Sequence, residues 1–357
     1  MGRRSRKSKR RMNSLFMALL LTAVMLIMST YAWFSANRTV SIEGITAKVS
    51  AAEGLQISLD GVSWGASVTV DAEKLAGVAS YNTYVYPNEL HPVSTTGATS
   101  SNEIQFYDGI VSSDGTELSS AASATRTTTT NAASGKYIMF DVYLKNSSSR
   151  DKDDLLLGAN SSVALGAAEN KKGQPNTGLE NSVRIGFALH PDTAIFTASQ
   201  SEIVALSGKP LVSVWEPNYN AHIPEVVALD SRVEKSATSD FATLGLLQAG
   251  SGTITGINGT TNNTYMSNFT TVRTAAVAPE TPLTAVDGTV TVTPGTGEGV
   301  PSTTAMTGGT QLTLTGNAIS KLTIYIWLEG QDPDCIDTAS TGKYLDFAIN
   351  LSKPSTT

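Results

Sequence analysis

The chain is poor in the side chains that most enzymes use for catalysis. It has one cysteine, Cys335, and three histidines, each close to a proline: His91, His190 and His222. One cysteine excludes an intrachain disulfide, and the histidines match no metal-binding spacing. The sequence also lacks a nucleophile elbow, a phosphate-binding loop and a dinucleotide fingerprint. It therefore predicts a protein that is not an enzyme, although a Ser-His-Asp arrangement assembled in space stays open.

Charge and helical pattern are both scarce. Charged residues make up 16% of the chain, and the short helix candidates are Asp71 to Ala76 and Ser239 to Gln248. Seven of the 25 basic residues lie between Arg3 and Arg11, which leaves 18 basic against 31 acidic residues and a net charge near −13. Nucleic-acid binding needs clustered Lys and Arg, so no nucleic-acid partner is predicted for this acidic remainder.

The N-terminal basic cluster precedes an apolar run that is too short to span a bilayer by itself. The run extends from Leu15 to Met28, 14 residues, against the ~20 residues that a transmembrane helix needs. A basic head, an apolar body and a small-residue exit are typical of a secretory signal. Residues 1–36 are therefore predicted to be a signal peptide or an N-terminal membrane anchor, and the remainder is expected outside the cytoplasm.

Strand patterns are the strongest signal in the remainder of the chain. Apolar and polar residues alternate in four segments: Tyr137 to Leu144, Val183 to Leu189, Leu322 to Leu328, and Leu345 to Leu351. This alternation predicts antiparallel sheets with one face on a core and one polar face. Residues 37–357 are therefore expected to form one all-β, elaborated β-sandwich. Its irregular insertions are predicted at about 111–135 and 250–310, the second with an edge strand at Thr289 to Thr293.

Two local signals lie near the start of this region. Asp60-Gly61 separates Leu55–Leu59 from Val62–Trp64, and an Asp-Gly pair between strands predicts a tight hairpin turn. Gly44 lies where the alternation changes phase, between Ile42 and Ile45, so a bulge or bend is expected there.

Two groups of residues are candidates for ligand binding. The first contains acidic clusters that suit calcium but do not match its twelve-residue loop: Asp151, Asp153 and Asp154, and Asp332, Asp334 and Asp337. Solvated loops explain them better, so no cofactor is predicted and calcium is the weaker alternative.

The second group contains aromatic residues. Tyr325 and Trp327 lie on the strand face opposite Ile324 and Ile326, and Trp215 lies in a Trp-Glu-Pro-Asn segment. Exposed, they would form a surface that binds a glycan or a protein. A second sheet or an insertion that covers them is the favoured alternative.

The exit of the leader, Ser29 to Val40 (STYAWFSANRTV), resembles the TasA/camelysin-like exported proteins of Gram-positive bacteria. Short later segments, such as Phe140-Asp-Val-Tyr-Leu-Lys-Asn, look like longer members of that group. The resemblance implies cleavage by a dedicated signal peptidase after Ala32, with Trp33 as the first mature residue. It also implies a jelly-roll sandwich and, in the fibre formers, an N-terminal strand that inserts into the next subunit. The donor side chains would be those of Val40 and Ile42, or of Ile45, Ala47 and Val49. This chain departs from TasA in its greater length and its more basic leader.

Together these observations predict an exported structural protein of the cell surface or extracellular matrix, such as a biofilm fibre. It would self-associate by N-terminal strand addition, because a leading strand without a hairpin partner needs pairing elsewhere. It would contact the membrane through its N-terminal segment before cleavage, or permanently without cleavage. The alternative is a monomeric or membrane-anchored adhesion or display module that binds a glycan or a protein; an exported hydrolase ranks third.

Overall fold

The computed structural model describes the greater part of the chain after residue 41. The described residues are 42–51, 54–87, 90–93, 95, 97–107, 121–122, 126, 136–158, 160–165, 179–217, 281–287, 289–293, 303–307, 309–329 and 343–355. The predicted leader, the helix candidate at Ser239 to Gln248 and the second acidic cluster lie outside them. In the described part, no helix is both long enough and apolar enough to cross a membrane.

Strands dominate the described residues. In chain order they are β1 (Ile42–Ala51), β2 (Leu55–Ser58), β3 (Ser67–Val70), β4 (Thr99–Ser100), β5 (Glu103–Ile104), β6 (Phe106–Tyr107), β7 (Ala121–Ala122), β8 (Ile138–Asn146), β9 (Lys152–Asp154), β10 (Leu156–Leu157), β11 (Ser162–Leu165), β12 (Val183–Ala194), β13 (Leu211–Trp215), β14 (Thr281–Pro282), β15 (Thr289–Thr293), β16 (Thr303–Thr307), β17 (Thr313–Thr315), β18 (Ala318–Leu328) and β19 (Lys343–Ser352). The helices are α1 (Ala72–Gly77), α2 (Gln200–Val204) and a 3₁₀ helix at Leu179–Ser182. The prediction of an all-β protein is confirmed.

Two sheets carry most of the fold. Sheet I has the order β14-β10-β19-β1-β3, and β11 also pairs with β19; sheet II has the order β13-β12-β18-β8-β2. Sheet II is antiparallel throughout, and sheet I is antiparallel except where β1 runs parallel to β19. Smaller two-stranded sheets include β9–β17 and β15–β16, so the strand predicted at Thr289 to Thr293 is present as β15.

One hydrophobic core joins the inner faces of the two sheets. Val49 and Ile349 reach it from sheet I, and Phe140 and Ile324 reach it from sheet II. The side chains assigned to the core by alternation in β8, β12, β18 and β19 all lie in it. Packing between two sheets therefore supports a sandwich-like arrangement.

The second face of sheet II does not face water, contrary to the sequence prediction. Met139 and Trp327 on that face pack with Val85, Ile104 and Phe106, which come from the segment after α1. Tyr325 and Met139 are both 0% exposed. The error arises because the alternation in each strand marks two different faces but does not say what covers the second face.

The two local signals near the start are both seen, one with a different geometry. The register of β1 against β19 shifts between Ile42 and Gly44, so the bulge predicted at Gly44 is confirmed. The chain also reverses at Asp60-Gly61, where Gly61 has φ +74° and Asp60 Oδ1 accepts hydrogen bonds from two backbone N–H groups. Ile57 and Gly65 exchange two backbone hydrogen bonds, of 2.8 and 3.0 Å, across this reversal, so the chain does turn back on itself, but through a longer loop than a tight hairpin turn. The strands on either side separate, because β2 belongs to sheet II and β3 to sheet I.

Both α-helices begin at a side-chain cap. The Asp71 carboxylate accepts from the backbone N–H of Lys74 at 2.8 Å, as expected for the predicted helix there. Ser199 and Glu202 form a capping box at the start of α2. Leu75 in α1 and Ile203 in α2 are each buried, so both short helices are fixed by packing as well as by their caps.

Candidate assembly site

The strand β1, which carries four of the five predicted donor residues, lies in the interior of sheet I. Its Ala47 and Val49 are Cα partners of Phe347 and Ile349 in parallel β19. On its other side, the same two residues are partners of Val70 and Val68 in antiparallel β3. The pairing that the leading strand was expected to find in a neighbouring subunit is therefore supplied by β19 and β3 of the same chain.

The side chains of β1 alternate between the core and the surface. Ala47 is 1% exposed and Val49 is 0% exposed, and Lys48 between them is exposed. Of the other candidate donor residues, Ile42 and Ile45 belong to the strand, but only their backbone is described. Val40 lies outside the described residues. Of the second predicted set, Ala47 and Val49 therefore lie on the same, buried face of β1.

A polar pair at the end of β1 fixes its register against β19. The Ser50 hydroxyl donates a short hydrogen bond to the side-chain oxygen of Asn350. The backbone N–H of Asn350 in turn donates to the Ser161 hydroxyl at 2.9 Å. A slip of one residue would turn the Ser50 hydroxyl to the other face and lose this bond.

The chain connectivity makes β1 separable from the body of the fold. Only residues 52–54 connect β1 to β2, which belongs to sheet II. Neither neighbour of β1 in sheet I is joined to it by a hairpin, because β3 follows β2 and β19 is the last strand. On its C-terminal side, β1 is therefore joined to the rest of the described fold by one short connection.

The three aromatic residues considered for surface binding are buried. Trp215, Tyr325 and Trp327 are each 0% exposed. The Trp327 ring packs edge-on against Phe106, with ring centres 5.2 Å apart, and its Nε1 donates to Glu329 at 3.3 Å. The possible binding surface at these residues is therefore wrong, and the favoured alternative, a covered face, is confirmed: the segment after α1 covers Tyr325 and Trp327, and Trp215 lies in the main core.

A different aromatic group reaches the surface beside α2. The Lys145 ammonium lies 5.5 Å from the ring centre of Trp64 and 4.7 Å from that of Phe196. Phe196 is 37% exposed, and the adjacent Ile195 is 67% exposed. Gln200 holds this region to the loop at Asp60 by a hydrogen bond of 2.9 Å to its carbonyl. We call Val62, Trp64, Lys145, Ile195 and Phe196 the loop-end patch.

A buried ion cluster lies on the second face of sheet II. Asp141 receives two hydrogen bonds from the Arg126 guanidinium, at 2.9 and 3.1 Å, and one contact of 3.0 Å from Lys321 Nζ. Burial alone would raise the pKa of Asp141, but Arg126 and Lys321 hold it below its ordinary value. Arg126 also forms an ion pair with Glu103 at 2.6 Å. The cluster therefore fixes Arg126, which belongs to the predicted insertion at about 111–135, to sheet II.

Among the described residues, Thr323, Asp141 and His190 most resemble a catalytic triad. Their order, however, does not produce a nucleophile. The Thr323 hydroxyl donates to Asp141 at 2.6 Å and lies 2.9 Å from His190 Nε2. The other ring nitrogen, Nδ1, donates to the Gly208 carbonyl at 3.0 Å. In a triad the histidine lies between the acid and the hydroxyl, whereas here the hydroxyl lies between the other two.

The acidic cluster considered for calcium has other partners where it is described. Asp153 accepts from Asn146 at 2.9 Å and lies 3.5 Å from Arg150. Within the described ranges, no group of three or more His, Cys, Asp or Glu side chains is placed to hold a metal ion. The Asp153 carboxylate is thus paired with side chains of the protein.

The functional inference has to come from the chain's own residues. Comparison with family models, with curated proteins and with solved structures gives no match. The resemblance of the leader exit therefore stays a prediction, and the proposed cleavage position between Ala32 and Trp33 lies outside the described residues.

Proposed function

We propose that this chain is an exported structural protein of the cell surface or extracellular matrix, which self-associates into fibres by exchange of β1. The observation that carries the proposal is the position of β1. It fills an interior place of sheet I, yet among the described residues only one short connection joins it to the rest of the fold. A strand with this connectivity can occupy the same place in a neighbouring copy.

The energetics of exchange support assembly. The β1 strand of a second copy would make the same pairs with β19 and β3, including the Ser50–Asn350 hydrogen bond. Exchange therefore costs little in lost contacts and depends mainly on concentration and on the connection at residues 52–54. When each copy gives β1 to one neighbour and receives β1 from another, the contact is head-to-tail and propagates as a filament.

The basic head and apolar run of residues 1–36 support export and a location outside the cytoplasm. That segment is also the proposed membrane contact, before cleavage or as an anchor. We further propose that the two sheets belong to a jelly-roll sandwich; their shared core supports this.

Three samples test the assembly proposal by negative-stain electron microscopy over a range of concentrations. The chain beginning at Trp33 should form regular filaments, and a chain beginning at Ala52 should form none. Adding a peptide of residues 42–51 to the shorter chain should raise its melting temperature without restoring filaments, because the peptide fills the groove but carries no second subunit. The matched control is the same peptide with Ala47→Asp and Val49→Asp, which should do neither.

Two results would contradict the proposal. Filaments formed by the chain that lacks β1 would show that another surface assembles it. Uniform single particles of the chain beginning at Trp33, at every concentration, would remove the structural role itself.

The loop-end patch favours a second candidate, an adhesion or display module. Ile195 and Val62 are 67% and 57% exposed, and Lys145 adds a cation beside two aromatic rings. Exposed apolar groups near polar ones suit a glycan or a protein partner. In a glycan array and a surface-protein capture assay, an Ile195→Ser/Phe196→Ser variant should lose binding without a change in melting temperature. A Tyr81→Ser variant is the matched control, and an absence of binding by the unmodified chain would remove this candidate.

A further inference from the structure

A cleft of about 200 Å³ lies between the end of sheet II and the small β9–β17 sheet. It is distinct from both the β1 site and the loop-end patch. Its polar lining consists largely of cations and hydroxyl groups: Lys152, Lys209, Thr193, Thr313, Thr315 and Ser320. All of these groups can donate hydrogen bonds, and the two ammonium groups have no acceptor capacity.

Strand register brings the lining groups together from distant parts of the chain. Lys152 and Thr315 are Cα partners across β9 and β17, and Thr193 and Ser320 are partners across β12 and β18. Thr313 lies two residues before Thr315 and so shares its face of the strand. The arrangement is therefore a consequence of the fold rather than of flexible side chains alone.

A glycine turn positions the second lysine. Gly208 has φ +93°, and a Cβ there would lie 2.6 Å from Pro191 Cγ, so another residue would not fit without movement. The Gly208 carbonyl accepts from His190 Nδ1 at 3.0 Å, which attaches the turn to β12. Lys209 follows directly and is held beside the cleft.

Neither lysine forms an ion pair with a described carboxylate. In the parts of the chain that the structure describes, neither Lys152 nor Lys209 has a carboxylate within 4.0 Å. Asp192 bonds the Ser207 backbone and hydroxyl, at 3.3 and 3.4 Å. Asp154 shares the strand face of Lys152 but does not line the cleft. Among the described residues, the cleft therefore contains two cations without an ion-pair partner.

We propose that this cleft binds a tetrahedral oxyanion, phosphate or sulfate, either free or as an ester on a polysaccharide. Lys152 and Lys209 supply the charge, and the hydroxyls of Thr193, Thr313 and Thr315 donate to the remaining oxygens. The volume exceeds the ~30 Å³ share of a single water but is below the ~300–1,000 Å³ of a typical small-molecule pocket. It therefore suits one oxyanion group, with the rest of a larger ligand outside.

Isothermal titration calorimetry of the folded chain tests the site with four probes at constant ionic strength: inorganic phosphate, inorganic sulfate, dextran sulfate and neutral dextran. Saturable binding of the anions but not of neutral dextran is expected. Binding of phosphate or sulfate indicates a free ion as ligand. Much tighter binding of dextran sulfate, per sulfate group, indicates a polysaccharide ester.

Four variants separate this site from general charge effects. Lys152→Gln and Lys209→Gln should each weaken binding about tenfold, as expected for loss of one charge-assisted contact. Thr315→Val should weaken it less, and Lys74→Gln, an exposed lysine on α1, should leave it unchanged. Melting temperatures equal to that of the unmodified chain establish that the variants are folded. An absence of saturable anion binding, or an equal loss in Lys74→Gln, would overturn the proposal.

Discussion

Val49 on the first described strand is the parallel partner of Ile349 on the last, and both side chains are 0% exposed. The two ends of the described chain therefore meet in the middle of sheet I. This contact couples the stability of the fold to the strand that we propose to exchange between subunits. A change that weakens it should affect both properties.

Removing two methyl groups from this contact should destabilise the protein. We expect Val49→Ala to lower the free energy of unfolding by about 2 kcal/mol, from lost burial and the cavity left behind. Urea denaturation at neutral pH measures the loss. Lys48→Ala, on the exposed side of the same strand, is the control and should change it by less than about 0.5 kcal/mol. Equal effects of the two substitutions would mean that β1 is not packed as described.

Trp327 should behave as a core residue rather than as a binding residue. Trp327→Ala should lower the free energy of unfolding by about 3–5 kcal/mol, because the ring is fully buried against Phe106. Thermal unfolding followed by circular dichroism measures this. A stable variant with reduced ligand binding would instead support the binding role that was the less favoured interpretation of the sequence.

The buried Asp141 cluster should depend on its charge. Asp141→Asn leaves Arg126 and Lys321 without their shared carboxylate, so a loss of about 3–5 kcal/mol is expected. Asp346→Asn, an exposed site on β19, is the matched control and should be nearly neutral. If urea denaturation shows the same loss of unfolding free energy for both substitutions, the ion cluster makes no specific contribution to stability.

Much of the fold could be predicted from the sequence because alternation identifies a strand and its inward face. The inward residues of β8, such as Phe140, and of β18, such as Ile324, lie in the core as expected. Gly44 marked the bulge of β1 because the alternation changes phase there. Alternation does not identify strand partners, however. The parallel pairing of β1 with β19 depends on contacts between residues about 300 positions apart, and no local pattern encodes such contacts.

The buried ion cluster around Asp141 left a weaker signal in the sequence. Arg126 is the only charged residue between Glu117 and Lys136, and Asp141 is the only charged residue between Lys136 and Lys145. A buried ion pair needs one charge of each sign, because an unpaired buried charge is costly. Two isolated charges of opposite sign in uncharged stretches fit that requirement. The sequence does not show which charges pair, nor that Thr323 lies between Asp141 and His190. Both depend on strand register.

His190 should make stability depend on pH near neutrality. Burial lowers the pKa of its ring, with Lys321 and Arg126 acting in the same direction and the Gly208 carbonyl and Asp141 opposing. The unfolded chain therefore binds this proton more readily, so its contribution to stability is complete above the ordinary pKa of 6.5 and falls as the pH is lowered through that value. Urea denaturation between about pH 7.5 and about pH 5.5 should show this decrease. His190→Gln should show a smaller decrease; an identical decrease in both would assign the effect to other groups.

The exchange of β1 is tested most directly by a disulfide between β1 and β3. Lys48 and Thr69 are exposed Cα partners in an antiparallel pair, a spacing that suits a disulfide. In a Cys335→Ser background, Lys48→Cys/Thr69→Cys is oxidised after assembly and analysed by denaturing electrophoresis without reductant. Asp154→Cys/Thr313→Cys, across β9 and β17 of the same body, is the control and should give monomers only. Strand exchange predicts a ladder of covalent oligomers from the first pair, and assembled protein that yields only monomers from it would contradict exchange.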